Sequence, residues 1–297
     1  MTAPAAVPPT GIRLWVAGAR PKTLGAAISP VLVGTAAGSL DGPTNWWRAL
    51  AALIVALALQ VGVNFANDYS DGVRGTDANR RGPIRLVASG LVSPAAVRNA
   101  AIGAFGVAAV VGGVLSLVVN PWLLVVGVLA LVAAATYTGG PKPYGYIGLG
   151  EVMVLVFFGF VATVGSAYVQ HETVPAVTWL AATAVGLLAC AILVTNNLRD
   201  IEGDRVSGKR TLATRLGVDC TRKLYAATVV GAFLAVIGCI ALEPTAALAF
   251  IAVPLTFSPV SLVSSQSDPP SLVKALVGTA RLQLVVSVLL AIGLGIG

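Results

Sequence analysis

Two acidic stretches carry the residue types that could do chemistry in this chain. The first reads Asn67-Asp68-Tyr69-Ser70-Asp71 and continues to Asp77; the second reads Asn196-Asn197-Leu198-Arg199-Asp200-Ile201-Glu202-Gly203-Asp204. At 3.6 residues per turn, Asn64, Asp68 and Asp71 share one helix face, and Asn196, Asp200 and Asp204 share another. Each stretch follows a long apolar run and precedes a loop rich in Arg and Lys. Two such stripes at the ends of membrane-length helices can face one another across a cavity. Carboxylates ~5 Å apart repel by roughly 3 kcal/mol per pair at an effective dielectric near 20. Divalent cations relieve this, and a Mg²⁺ held by one or two carboxylates takes its other ligands from phosphate oxygens and water. A solvated charge cluster is the plain alternative for one stripe. Two stripes of the same design in matching positions of two halves weigh against it.

The cations beside the stripes suit an anionic ligand. Arg74, Arg80, Arg81 and Arg85 follow the first motif; Arg199, Arg205, Lys209, Arg210 and Arg215 lie in or after the second. Carboxylates and cations on one membrane face fit metal-assisted handling of a diphosphate. Cytoplasmic loops are basic in any case, so most of these residues need no special role. Lys22 and Lys142 stand at helix mouths on the same side and are candidates for phosphate contact, with Arg74 and Arg85. Gln60 and Asn64, one to two turns deeper than Asp68, could meet an aromatic substrate, and Asn196 is their counterpart. Glu151 and Arg281 fall inside apolar runs, where an ionisable side chain is costly and usually faces a cavity or partner; snorkelling is the other account of Arg281.

The elements that must position these groups span a membrane. Of the 297 residues 57% are hydrophobic and only 10% charged, against about 25% charged in soluble domains. Mean hydropathy is +0.88. Residues 1–10 are expected to be a disordered tail without a signal peptide's basic start, and 11–297 a single all-α domain. Residues 12–20 suit a short amphipathic helix lying on the membrane, with Trp15 at the interface and Arg13 and Arg20 at the headgroups. Nine apolar runs follow, at about 23–40, 46–66, 94–118, 121–137, 146–169, 175–197, 222–242, 244–265 and 273–296. With the N-terminus inside, every Lys and Arg except Arg48 and Arg281 falls on the cytoplasmic side. Asp41, Glu172 and Glu243 then mark outer loops, and Trp46, Trp47, Trp122 and Trp179 an outer aromatic belt. An odd number of spans puts the C-terminus outside. The second and sixth runs with their loops look like weak copies of one another. Glycines such as Gly103, Gly106, Gly112 and Gly113 suggest close helix packing. Cys190, Cys220 and Cys239 have no paired spacing and His171 is the only histidine, which argues against a disulfide framework, a His base and a His-ligated metal.

Taken together, these residues resemble the UbiA superfamily of intramembrane prenyltransferases over almost the whole chain. The resemblance rests on Asn67-Asp68-x-x-Asp71, on Asp200-x-x-x-Asp204, on the span count and on the two long basic loops. The commoner form of the family has a third Asp where this chain has Gly75, with Asp77 two residues on. That variant, with residues 19–24, 196–204 and 208–213, resembles the branch that prenylates 1,4-dihydroxy-2-naphthoate in menaquinone synthesis. The resemblance implies a cavity open laterally to the bilayer lipid and capped by cytoplasmic loops, in a bacterial inner membrane. It also implies Mg²⁺ bound through Asn67, Asp68, Asp71, Asp77, Asp200 and Asp204, a polyprenyl diphosphate, and an aromatic acceptor; no nucleic acid is expected. Lys22, Lys142 and nearby arginines would neutralise the leaving diphosphate. The resulting allylic cation would be attacked by the naphthoate ring, with loss of CO₂. Other acceptors within the family (other quinone, haem, phytyl or phosphoribosyl) stay open. A transporter is a weaker reading, because its carboxylates sit at midplane on broken helices. A CDP-alcohol phosphotransferase lacks its Ala-Arg and its second Asp pair here.

Overall fold

The computed structural model describes residues 10–76 and 84–297. All regular structure among them is helical: α1 (Ile12–Ala19), α2 (Gly25–Gly38), α3 (Trp46–Arg74), α4 (Pro94–Val119), α5 (Leu123–Thr136), α6 (Gly150–Val154), α7 (Ala162–His171), α8 (Ala176–Val206), α9 (Leu212–Leu242), α10 (Phe257–Ser265) and α11 (Pro269–Ile296). A π-helical stretch, Leu155–Val161, joins α6 to α7, and a 3-10 stretch, Pro244–Thr256, leads into α10. Gly150–His171 and Pro244–Ser265 are therefore single spans.

Nine spans are expected from the sequence. Among the described residues, seven helices are long and apolar enough to cross a membrane, and α1 with α2 forms an eighth as a pair bent by 53°. Helix α5 has 14 residues, which at 1.5 Å each reach only about 21 Å of a ~30 Å hydrocarbon layer. Helix length by itself thus accounts for seven or eight crossings among the described residues, and α5 is the apolar run that falls short of full width.

Local chemistry sets the boundaries. Helix α3 continues eight residues past its apolar run because nothing breaks it before Gly75. That glycine takes φ 71 and caps the helix, a role most other residues fill at a cost. Ser93 and Asp268 cap α4 and α11 through their side chains, each followed by proline at the first helical position. Pro21 breaks α1 from α2, and Arg20 turns the chain with φ 54. Helix α1 is not isolated on the surface: Trp15 packs edge-on against Phe65 of α3 at 5.8 Å.

Helix α8 is the centre of the molecule. Ala181, Ala184, Val185, Leu188 and Ala191 are fully buried, and the main core continues through α9, α11 and the 3-10 stretch. Small residues let backbones touch, as membrane helices require. A Cβ on Gly186 would lie 2.7 Å from Cα of Gly159, and one on Gly34 would lie 2.2 Å from the Thr163 carbonyl oxygen. The four glycines of α4 do not serve this purpose. A Cβ on Gly103, Gly106 or Gly113 would meet nothing within 4 Å, and one on Gly112 would only touch Val55 at 3.5 Å. Frequency of glycine in one helix does not say which face is covered, and α4 is a peripheral helix.

The end opposite the two motifs is tied by polar contacts. Arg48, an exception to the charge asymmetry, donates to the carbonyls of Val169 (2.9 Å) and Gln170 (3.2 Å) at the end of α7. Thr173 donates to Asp41. A Cβ on Gly297 would lie 3.3 Å from the Glu243 carboxylate, so α11 ends on this side too.

Candidate active site

Both motifs are helical. Asn64, Asn67, Asp68 and Asp71 project from α3, and Asn196, Asn197, Asp200 and Asp204 from α8. Helix α3 brings four buried polar side chains to one region: Asp68 and Asp71 are 0% and 4% exposed, Asn64 and Asn67 3% and 9%. Burial at this level requires partners, and each has them.

Asp68 accepts two backbone N–H bonds, from Leu86 (2.8 Å) and Val87 (3.0 Å). It thereby fastens the chain that follows the first basic loop across the helix end. Asp71 is the hub. It accepts the Tyr146 hydroxyl, Lys209 Nζ at 3.0 Å and the Thr76 hydroxyl at 3.2 Å, and Arg85 stands 3.7 Å from its other oxygen. Lys209 follows the second motif, so this one carboxylate ties the two halves together. Lys209 also lies over the Tyr146 ring at 4.5 Å, and Arg74 stands 5.5 Å from it. Burial, and after it the Asp71 charge, pushes the Tyr146 phenol up. It therefore stays a donor toward Asp71 at neutral pH. Burial likewise raises Tyr144 to about 12.

The segment between α5 and α6 forms the third wall. Arg74 donates to the carbonyls of Thr138 and Gly140, and the Thr138 hydroxyl donates to Asn67 at 2.7 Å. Tyr137 stacks edge-on with Tyr144 at 5.4 Å. The backbone N–H of Arg210 bonds the Tyr146 carbonyl at 2.8 Å, which docks the loop after α8 on the same turn.

On α8, Asp200 is held by both arms of Arg199 at 2.7 Å, and Arg199 also donates to Asn196 at 2.8 Å. Asn197 donates to Glu151 at 2.9 Å. Gln60 and Asn64 turn toward the α1–α2 break. Asn64 donates to the Ala19 carbonyl (2.9 Å) and the Thr23 hydroxyl (3.2 Å), and Gln60 reaches Thr23 at 3.4 Å. They hold the turn that carries Lys22. Lys22, Lys142 and Arg281 are exposed. Gly25 of α2 faces Leu284 of α11, so Lys22 and Arg281, each three residues earlier, lie at similar depth. Asp77, Arg80 and Arg81 lie outside the described residues.

The sequence reading passed over Tyr137, Thr138 and Tyr146, and placed Lys209 among ordinary loop cations. Their signal is weak: a Tyr-Thr-Gly-Gly turn has no spacing that marks a site, and the 208–213 stretch that carries the resemblance does not say which carboxylate Lys209 meets. Only folding places them beside Asp71.

The UbiA prenyltransferase family matches residues 27–293. The chain belongs to this family. A 1,4-dihydroxy-2-naphthoate octaprenyltransferase of Mycobacterium tuberculosis is 44% identical over 283 residues, covering 95% of this chain and 97% of that one. Among solved structures, a UbiA homologue from Aeropyrum pernix K1 superposes with a TM-score of 0.67 at 18% identity, covering 92% of this chain and 97% of that one. A UbiA homologue from Archaeoglobus fulgidus, solved with DMAPP and Mg²⁺, gives a TM-score of 0.64 at 14% identity, covering 94% and 99%.

The donor set of this UbiA chain fits a hard divalent cation. Its candidate ligands are all carboxylate or carboxamide oxygens, the ligand type that Mg²⁺ prefers. Among the described residues no three His, Cys, Asp or Glu side chains are close enough to hold an ion by themselves. Oxygens from a bound phosphate would complete such a site. Lys209 and Arg85 on Asp71, and Arg199 on Asp200, supply the positive charge that these carboxylates attract.

Proposed function

We propose that this integral membrane protein transfers a polyprenyl group from polyprenyl diphosphate to 1,4-dihydroxy-2-naphthoate with loss of CO₂ and diphosphate, giving the quinol form of demethylmenaquinone. The observation that carries the reading is Asp71 bound to Lys209 and Arg85: a carboxylate of the first motif meets cations from both halves at one end of the spans. The 44% identity to a naphthoate octaprenyltransferase supports the choice of acceptor.

Asn67, Asp68, Asp71, Asp200 and Asp204, with Asp77, would hold a divalent ion, Mg²⁺ in this reading, which would supply positive charge for the diphosphate as leaving group. Arg74, Arg85, Lys142 and Lys209 take up the departing diphosphate, and Lys22 is left for the acceptor's carboxylate. The acceptor ring forms its new C–C bond at the carbon bearing the carboxylate, and that C–CO₂ bond then breaks to restore the aromatic ring. Apolar helix walls keep water from the cation. The test incubates the purified protein with labelled polyprenyl diphosphate and a panel of hydroxyaromatic acids; transfer to 4-hydroxybenzoate in preference to the naphthoate overturns the choice of acceptor.

Lys209 has an expected effect of its own. Lys209→Gln raises the KM for polyprenyl diphosphate on the order of tenfold to a hundredfold, the value of one charge-assisted hydrogen bond. Steady-state kinetics with each substrate varied in turn checks this, because the acceptor KM stays within about twofold if Lys209 serves the diphosphate.

The site and the N-terminus face the cytoplasm in this reading, and the C-terminus faces outward. In a background without native cysteines, Cys at position 41, 172 or 297 is labelled by an impermeant thiol reagent in sealed cells. Cys at 208 is labelled only after the membrane is opened. Labelling of 208 from outside reverses the orientation.

A further inference from the structure

Glu151 stands in the first turn of the span Gly150–His171. It is 8% exposed, and α8 provides its seat: Cys190 Sγ contacts its carbonyl at 3.2 Å, Leu193 packs against Gly150, and Asn197 donates to Oε1 at 2.9 Å. The other carboxyl oxygen, Oε2, is buried with no hydrogen-bond partner. A buried acceptor left unpaired is costly, and here it lies beside the converging motifs. Asn197 precedes Asp200 by three residues, so the Glu151 carboxyl sits about one turn, some 4–5 Å, farther into the membrane than Asp200. Tyr137 borders the same turn, since a Cβ on Gly150 would lie 3.8 Å from its ring, and the next residue, Thr138, bonds Asn67 of the first motif at 2.7 Å.

We propose that Glu151, held by Asn197, receives a hydroxyl of the aromatic acceptor on Oε2 and fixes the orientation of the ring; this rests on the function proposed above. The depth suits it, since the ring must lie on the membrane side of a diphosphate bound at the carboxylates. The sign suits it too. A carboxylate accepts an O–H and repels the acceptor's own carboxylate, so the 4-hydroxyl, the one not ortho to the carboxylate, turns toward α6 and the carboxylate away.

The test measures binding in detergent by equilibrium dialysis, with two probes: 1,4-dihydroxy-2-naphthoate and its dimethyl ether, which has no O–H to donate. Glu151→Gln weakens binding of the dihydroxy probe on the order of tenfold to a hundredfold and leaves the ether unchanged. Glu151→Asp, which keeps the charge but shortens the reach, gives a smaller loss confined to the same probe, and it carries the test if the Gln variant does not fold. Equal loss on both probes, or no loss on either, overturns the assignment, as does failure of the wild-type chain to bind the dihydroxy probe. If the wild-type chain binds the naphthoate but does not prenylate it, the proposed function falls while the binding series still decides the role of Glu151.

Discussion

Asp71→Asn and Asp200→Asn each lower turnover by about two to three orders of magnitude, as expected where charge neutralisation at the leaving group supplies several kcal/mol. The substitution keeps the shape and an acceptor oxygen, so Tyr146, Thr76 and Lys209 retain a partner at position 71, and Arg199 one at position 200. It removes the negative charge that holds a divalent cation. Stability in detergent should therefore change far less than activity. EDTA should abolish turnover of the wild-type protein, and added Mg²⁺ should restore it. The measurement is initial-rate prenyl transfer beside a thermal melt of each variant. Full activity of Asp200→Asn with the metal stripped away would sink the metal-dependent reading. An equal fall in activity and melting temperature would show that these carboxylates serve the fold alone.

Prenyl transfer to carboxyl-labelled naphthoate releases one labelled CO₂ for each group transferred. The carboxylate lost in that step must first be held in a site already crowded with Asp side chains and phosphate. A cation beside the ring is therefore required, and Lys22 and Arg281 are the candidates at similar depth on neighbouring elements. Both side chains are exposed, unlike Arg85 and Lys209, which are drawn onto Asp71 at side-chain exposures of 10% and 11%. Replacing the responsible residue by Gln weakens the naphthoate tenfold to a hundredfold, on the order of one charge-assisted bond, and affects the diphosphate less. Trapped labelled CO₂ counted against prenylated product checks the stoichiometry. A prenylated product that keeps its carboxylate moves the chain to a different acceptor class within the family.

Much of this protein is determined locally. Long apolar runs with few charges make spanning helices in any arrangement, because backbone polar groups in lipid must be satisfied within the segment. The stripe Asn64, Asp68, Asp71 and the stripe Asn196, Asp200, Asp204 follow from helical period alone, once no breaker intervenes before Gly75 and Ser207. Other features depend on contacts between residues far apart in sequence, and no local pattern encodes those. Lys209 reaches Asp71 across 138 positions and Tyr146 across 75, so no local pattern shows that either one meets Asp71. Asn64 and Gln60 look like lining residues in the sequence; in the fold they support the turn at Pro21, whose break leaves the Ala19 carbonyl in need of a donor. The glycines of α4 show the same limit in reverse: composition suggests close packing, but only the position of α4 at the edge of the bundle decides that their faces stay open. Burial of Glu151 could be anticipated from its place in an apolar run. That one of its oxygens is held by Asn197 while the other has no partner was decided by the crossing of α6 and α8.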